Sequence, residues 1–228
     1  MQRRALVVDD EPIVCQLIGK ILNSAGIEAL TITRSMEAPE ILEEGIFDVV
    51  FLDLHMPSPD GIDLARQMRS SRFNRSTPII MISDDQRPSA LAVGFAAGAS
   101  FFLYKPIDKD RLLKLVRATQ GIMGHERRRT RRVPIQSKIR LLIGDEELEG
   151  ETIDVSMTGL LVRTPRIAPV GSALRLSLQL SQRMRPIVAD GSVVRVQGGN
   201  QMGIHLDHLT LPESERLQEF LLHSIPNE

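Results

Sequence analysis

The chain has 228 residues, 42% of them hydrophobic, and its 28 Lys and Arg against 29 Asp and Glu leave a net charge of −1. That length and apolar content suffice for two modest cores and exclude a disordered chain, while the balanced charge excludes a molecule basic throughout, as general nucleic-acid or membrane-surface binders are. One cysteine, Cys15, excludes an internal disulfide. No run of about 18 apolar residues is present to span a membrane. Met1-Gln2-Arg3-Arg4 leads straight into an apolar run, so no signal peptide and a reducing cytoplasm are expected.

Up to about residue 120, short apolar runs alternate with helical patterns, the grammar of a parallel sheet wrapped by helices. Ala5-Leu6-Val7-Val8 reads as a first strand and ends in Asp9-Asp10. Ile13, Leu17, Ile18, Ile21 and Leu22 are spaced as the buried stripe of a helix, with Cys15 packed among them. Leu30 and Ile32 mark a second strand, and Met36, Ile41 and Leu42 a helix that stops at Gly45. Val49-Val50-Phe51-Leu52 ends in Asp53, and Asp60-Gly61 turns into a helix with Ile62, Leu64, Ala65 and Met68. Ile79 to Ile82 ends in Ser83, a helix over 90–97 stops near Gly98, and Phe101 to Tyr104 ends in Lys105-Pro106. The last helix, from about Asp108 to Thr119, turns Leu112, Leu113, Leu115 and Val116 to its apolar side. Five strands and five helices predict a doubly wound α/β sheet, whose ligands sit beyond the carboxyl ends of the strands. Asp9, Asp10, Asp53, Ser83 and Lys105 therefore converge. Three carboxylates at one spot require a cation, and magnesium, which takes oxygen ligands and keeps waters, is the natural guest.

The segments LVVDDEP, VVFLDLHMPSPDGIDL, PIIMIS and AGASFFLYKPI resemble, in order, the receiver domain of two-component response regulators. The resemblance implies a flavodoxin-like fold, Asp53 as phosphoacceptor, and Asp9 and Asp10 as magnesium carboxylates, Asp10 the more direct. It further implies a backbone carbonyl of His55 on the metal, Ser83 and Lys105 on the phosphoryl oxygens, and Phe102 as the switch aromatic. A sensor histidine kinase is the implied phosphodonor. The chain departs from the family at Asp84, where a small residue is usual; with Asp85 it adds negative charge beside the site.

From Glu126 to Arg140, seven basic residues face Glu126 alone, which calls for an anionic ligand. After Val133-Pro134 come short, often alternating apolar runs (Ile139-Leu141-Ile143, Val155, Leu160 to Val162, Leu174 to Leu180, Val188, Val193 to Val196, Met202 to Leu206). They are broken at Gly144-Asp145, Pro169-Val170-Gly171, Asp190-Gly191 and Gly198-Gly199-Asn200, which predicts a small all-β barrel or sandwich. A closing helix from Pro212 to about Ser224 lays Leu217, Phe220, Leu221 and Ile225 on it. Arg128 and Arg132, four apart, share one face in a helix or a strand. A guanidinium forks onto phosphate and onto the edge of guanine, so with the short polar turn Asp154 to Gly159 a guanine nucleotide is indicated.

ERRRTRRVP and DVSMTG resemble the two motifs of the PilZ domain, a receptor of the bacterial second messenger cyclic di-GMP. The resemblance implies contacts from Arg128, Arg132, Asp154, Ser156 and Gly159. Arg127 and Arg131 satisfy the same spacing, and Arg127 before the first motif arginine resembles members that take an intercalated nucleotide pair; one or two ligands both remain open. The expected organisation is a receiver over 1–121, a linker over 122–134 and a PilZ-like barrel with a C-terminal helix over 135–228. The expected protein is a cytoplasmic response regulator, not a turnover enzyme, that relays phosphorylation and cyclic di-GMP to an unknown downstream protein, as monomer or homodimer. Two rivals are a docking module that ignores nucleotide and a DNA-binding regulator. The absence of Trp and of a helix-turn-helix pattern disfavours the last.

Overall fold

The computed structural model describes residues 3–120, 132–181 and 184–224. It divides into two compact units, up to Arg131 and from Arg132 onward. In the first, β1 (Arg3–Val8), α1 (Pro12–Ser24), β2 (Ile27–Ile32), a 3-10 turn (Ser35–Glu37) with α2 (Ala38–Glu44), and β3 (Val49–Asp53) precede α3 (Gly61–Ser70). Then come β4 (Ile79–Ser83), α4 (Pro88–Ala97), β5 (Phe101–Tyr104) and α5 (Lys109–Gln120). The five strands are parallel in the order β2-β1-β3-β4-β5. Strands β3 and β4 are buried at every position, as the middle of a sheet covered on both faces requires. Strand order reverses between β1 and β3, so the crevice of this unit opens where Asp9, Asp53, Ser83 and Lys105 follow or end their strands.

Local chemistry sets the helices in place. Pro12 and Pro88 open α1 and α4, where a missing N–H costs nothing. Asp60 caps α3 by accepting the Asp63 N–H at 2.9 Å. Gly98, at φ 110°, ends α4 in the left-handed region. The buried stripe of α1 differs from expectation: it runs through Cys15, Ile18, Gly19, Ile21 and Leu22, leaving Ile13 79% and Leu17 41% exposed. A helix lying on a sheet buries one narrow face, and Ile13 and Leu17 stand at its rim. Leu113 of α5 is half-buried at a helix rim in the same way, whereas Leu30 is exposed because β2 is the edge strand of the sheet.

The second unit is antiparallel: β6 (Val133–Pro134), β7 (Lys138–Ile143), β8 (Glu146–Ser156), β9 (Gly159–Arg163), β10 (Ala173–Leu178), β11 (Ile187–Gln197), β12 (Gln201–His208) and α6 (Leu211–His223). The order β6-β8-β7-β10-β11-β12-β9, with β8 also pairing β9, closes six strands into a barrel and adds β6 on β8. Closure removes exposed edges and packs Ile139, Leu141, Leu160, Val162, Leu176, Met202 and Ile204 inside. Two expectations need correction. Val133-Pro134, assigned to the linker, pairs with Val155 and Asp154, so the barrel unit starts earlier than residue 135. Asp190-Gly191, expected to break a strand, lies inside β11 at a register shift, where the facing strand β12 carries the extra residue, Asp207. Helix α6 packs on β11, with Leu217, Leu221 and Leu222 buried and Phe220 half-buried; Ile225 lies outside the described residues. Glu213 accepts from Val188 N at 3.2 Å and also from Thr210 N, which ties the start of α6 to the barrel. Among the described residues no helix is long and apolar enough to cross a membrane.

Gly61 sits where no side chain fits: a Cβ there would lie 2.1 Å from the Asp53 carbonyl oxygen. Gly61→Ala is therefore expected to destabilise the first unit by about 2–3 kcal/mol, read as a lower midpoint in urea unfolding at unchanged slope. An unchanged midpoint would contradict that packing.

Candidate functional site

At the carboxyl ends of β1, β3 and β5, Asp9 and Asp53 are buried and Asp10 is exposed. Lys105 Nζ lies 3.2 Å from Asp9 Oδ2, 3.2 Å from Asp53 Oδ1 and 2.6 Å from Glu11 Oε1. Asp9 Oδ1 accepts the Glu11 N–H at 2.9 Å, whereas buried Oδ2 has the ammonium within ion-pair range but no aligned hydrogen bond. Oxygens of Asp9, Asp10 and Asp53 all come within 4.8 Å of one another. Burial, then the neighbouring Asp9 charge, pushes the Asp53 carboxyl up to about 6 despite Lys105, and burial likewise raises Asp9. Burial works against the Lys105 ammonium, but Glu11, Asp53 and Asp9 together hold it above its ordinary value. An all-oxygen set of three crowded carboxylates, two raised by desolvation, fits a small divalent cation such as magnesium.

The rest of the rim is built from the β3-α3 and β4-α4 connections. Ser83 Oγ, fully buried, accepts the Asp85 N–H at 2.9 Å. Asp85 is gripped by Arg87 at 2.6 Å and approached by His55 Nε2 at 3.3 Å. Arg87, through side-chain and backbone hydrogen bonds, holds that carboxyl well below the usual carboxylate range. The charge expected from the acidic pair is thus divided: Asp85 is neutralised by Arg87, and Asp84 is exposed. Phe102 is buried, edge-on to Phe95 at 5.0 Å and stacked near Tyr104 at 6.1 Å. Its ring fills the space left by Gly94, where a Cβ would stand 2.3 Å from Cζ.

In the barrel unit, Arg132 Nη1 donates to Asp154 Oδ1, both side chains partly buried, and β6 pairs Pro134 with Asp154. Ser156 Oγ is fully buried and donates to the Gly159 carbonyl at 2.9 Å, closing the β8-β9 turn on itself. Gly159 lacks a left-handed φ; its close approach is to β12, since a Cβ would lie 2.4 Å from the Ile204 oxygen. Arg127 and Arg128 lie outside the described residues. A cavity of about 1110 Å³, lined by Arg140, Glu151, Arg163 and Gln179 among others, indents the same unit but includes neither Arg132 nor Asp154.

Residues 5–117 match the family model of the response regulator receiver domain, and residues 126–223 that of the PilZ domain. The chain is a receiver domain followed by a PilZ domain. The sensory/regulatory protein RpfC of Xanthomonas campestris is 33% identical over 112 residues, 48% of this chain and 15% of that one. The phosphate regulon transcriptional regulatory protein PhoB of Rhizobium meliloti is 32% identical over 67% of this chain and 63% of its own length. The chain thus spans less than two thirds of either relative. The solved chemotaxis protein CheY4 of Vibrio cholerae, 29% identical, superposes at a TM-score of 0.50 over 52% of this chain and 99% of that one. Receiver domains bind magnesium in an acidic site and PilZ domains are cyclic di-GMP receptors.

Two residues of the receiver rim were not singled out by sequence. Glu11 completes the ammonium's shell, and its signal was its place directly after Asp10 in the DDEP segment. Arg87, two residues beyond Asp85, carried no signal of its pairing. Because the folded receiver binds the Asp53 proton more tightly than the unfolded chain, this group's contribution to stability falls as pH rises from about 4 to about 6. In EDTA near pH 7.5, Asp53→Asn is therefore expected to raise receiver stability by about 1–2 kcal/mol, the gain shrinking as pH falls below about 6. Thermal melts across pH check this, and a variant that melts lower at every pH would contradict it.

Proposed function

We propose that this protein is a response regulator that accepts a phosphoryl group on Asp53 and binds cyclic di-GMP on its PilZ domain, passing both signals to a downstream protein. The observation that carries the receiver half is the Lys105 ammonium held 3.2 Å from both Asp9 and Asp53. A sensor histidine kinase is the donor: a bond forms from an Asp53 carboxylate oxygen to phosphorus as the donor's own bond to phosphorus breaks. Asp53 must be ionised to attack, and Lys105 opposes the burial that protonates it. Asp9, Asp10 and Asp53, with the His55 backbone carbonyl, would hold magnesium, which would supply neutralising charge for the phosphoryl oxygens.

Once the phosphoryl group is on Asp53, Lys105 pairs with one of its oxygens, exchanging a carboxylate partner for a more highly charged one. Ser83 Oγ, now an acceptor from Asp85 N, turns its own O–H to a second phosphoryl oxygen. Phe102, already packed inward on Gly94, senses that movement because it precedes Lys105 on the same strand end. In the PilZ half, Arg127, Arg128 and Arg132 meet phosphate and guanine edges, and Asp154 accepts from guanine N–H groups. Ser156 and Gly159 act by fixing the turn that presents Asp154. The Arg132–Asp154 pair keeps both groups oriented before the ligand competes for them.

Calorimetric titration of cyclic di-GMP into the full chain is expected to show micromolar or tighter binding that is lost in Arg128→Ala, Arg132→Ala double variant, with a stoichiometry that separates one nucleotide from a pair. No heat with the unaltered protein would refute the nucleotide reading and leave the barrel as a protein-docking module. If the two ligands bias one equilibrium, beryllofluoride with magnesium changes nucleotide affinity by the factor that nucleotide changes beryllofluoride affinity. Equal nucleotide affinities with and without it would refute the coupling.

A further inference from the structure

The outer wall of the PilZ barrel carries an arginine that neither motif contains. In β8, Thr152 is buried opposite buried Val162, so strict alternation would bury Asp154 as well. A bulge between Thr152 and Asp154 adds a residue and turns Asp154 to the outer face, opposite Leu161. The same device recurs in β11. Val193 is buried opposite Ile204, and a bulge between Val193 and Arg195 turns Arg195 outward, opposite Gly203.

These two bulges meet in register. Leu161 pairs with Gly203, so Asp154, Leu161, Gly203 and Arg195 form one row across β8, β9, β12 and β11, in which Leu161 and Gly203 are buried, Asp154 is half-buried and Arg195 is exposed. Three strand spacings make that row about 14 Å long. Arg195 lies back across it: a Cβ on Gly203 would stand 2.5 Å from Arg195 Cγ and 2.8 Å from Nε, so the side chain leans from β11 toward β9. Arg140, Arg166, Arg175 and Arg216 each face a carboxylate within 4.0 Å. Arg195, like Arg163 and Arg185, has no such carboxylate among the described residues, and of these Arg195 shares the row with Asp154. One end of the row is therefore a guanidinium already paired with Asp154, and the other is a guanidinium with no carboxylate within ion-pair range among the described residues, laid flat on glycine.

We infer that Arg195 is a direct ligand contact, gripping the cyclic dinucleotide at the end of the row remote from Arg132, with Leu161 and Gly203 as the floor between. This rests on the reading that the PilZ domain binds cyclic di-GMP. A ligand with two phosphates and two purines needs cationic or stacking partners at both ends, and a flat guanidinium supplies both a fork for phosphate and a face for a purine. Gly203 serves this arrangement, since any side chain there would lift Arg195 off the wall.

The test is calorimetry of cyclic di-GMP with the full chain and its Arg195→Ala, Arg195→Lys and Arg175→Ala variants, each first shown by thermal melting to fold as the parent does. Arg195→Ala is expected to weaken binding about tenfold or more, the size of one charge-assisted contact, and to flatten the dependence of affinity on salt. Arg195→Lys, which keeps the charge, should recover part of the loss, and Arg175→Ala, whose arginine faces Asp190, should bind as the parent does. Parent-like binding by Arg195→Ala would overturn the inference while leaving the nucleotide reading intact. An unaltered protein that does not bind would overturn both.

Discussion

The acid site of the receiver is possible because one ammonium lies among three carboxylates at the sheet's edge. Asp9 and Asp53 are nearly inaccessible to water, and two such anions could not both stay ionised without Lys105 beside them. Glu11 completes the shell from the solvent side. This arrangement holds the ends of β1, β3 and β5 together, beside the end of β4 with Ser83 and the connections that carry Asp85 and His55. It also explains why the site is poised rather than settled. Lys105 offsets the burial of charge only in part, so the Asp53 carboxyl is still pushed up to about 6, and further positive charge beside it would favour the ionised form.

The barrel meets a similar requirement by backbone means. It has to show charged groups on a wall whose strands alternate strictly between core and solvent, and bulges in β8 and β11 shift that alternation by one residue each. Asp154 and Arg195 are brought out by the same device on either side of the β9-β12 pair. The glycines there serve close backbone packing. Gly159 lets β9 approach β12, and Gly203 lets Arg195 lie flat.

Much of the receiver was legible because its signals are local: an apolar run followed by one polar residue marks both a buried parallel strand and the place where its functional side chain emerges. Asp9, Asp53, Ser83 and Lys105 were all found that way. The orientation of α1 was not legible, since Ile13 and Leu17 fit the helical period as well as the residues that are buried. Nor was the pairing of Asp85 rather than Asp84 with Arg87, because neighbouring acids differ only in where the loop aims them. In the barrel, strands and turns could be read, but bulges could not. Asp190-Gly191 read as a break because Asp-Gly is a turn signal, whereas β11 runs through it and the extra residue, Asp207, lies on the facing strand β12. The residue inserted in β11 before Arg195 moves that side chain to the other face without changing composition, so Arg195 drew no notice. The bond from the buried Ser156 hydroxyl to the Gly159 carbonyl is likewise invisible to residue spacing.

The central claim is that Asp53 is the nucleophile of a Lys105-supported phosphorylation site. It is tested most directly by intact-mass measurement after incubation with acetyl phosphate and magnesium, on the parent protein and on Asp53→Asn and Lys105→Ala. The account predicts a single phosphoryl adduct on the parent, labile to hydroxylamine as an acyl phosphate is, absent from Asp53→Asn and strongly reduced in Lys105→Ala. An adduct of equal size on Asp53→Asn, or none on the parent while a known receiver is labelled alongside, would contradict it.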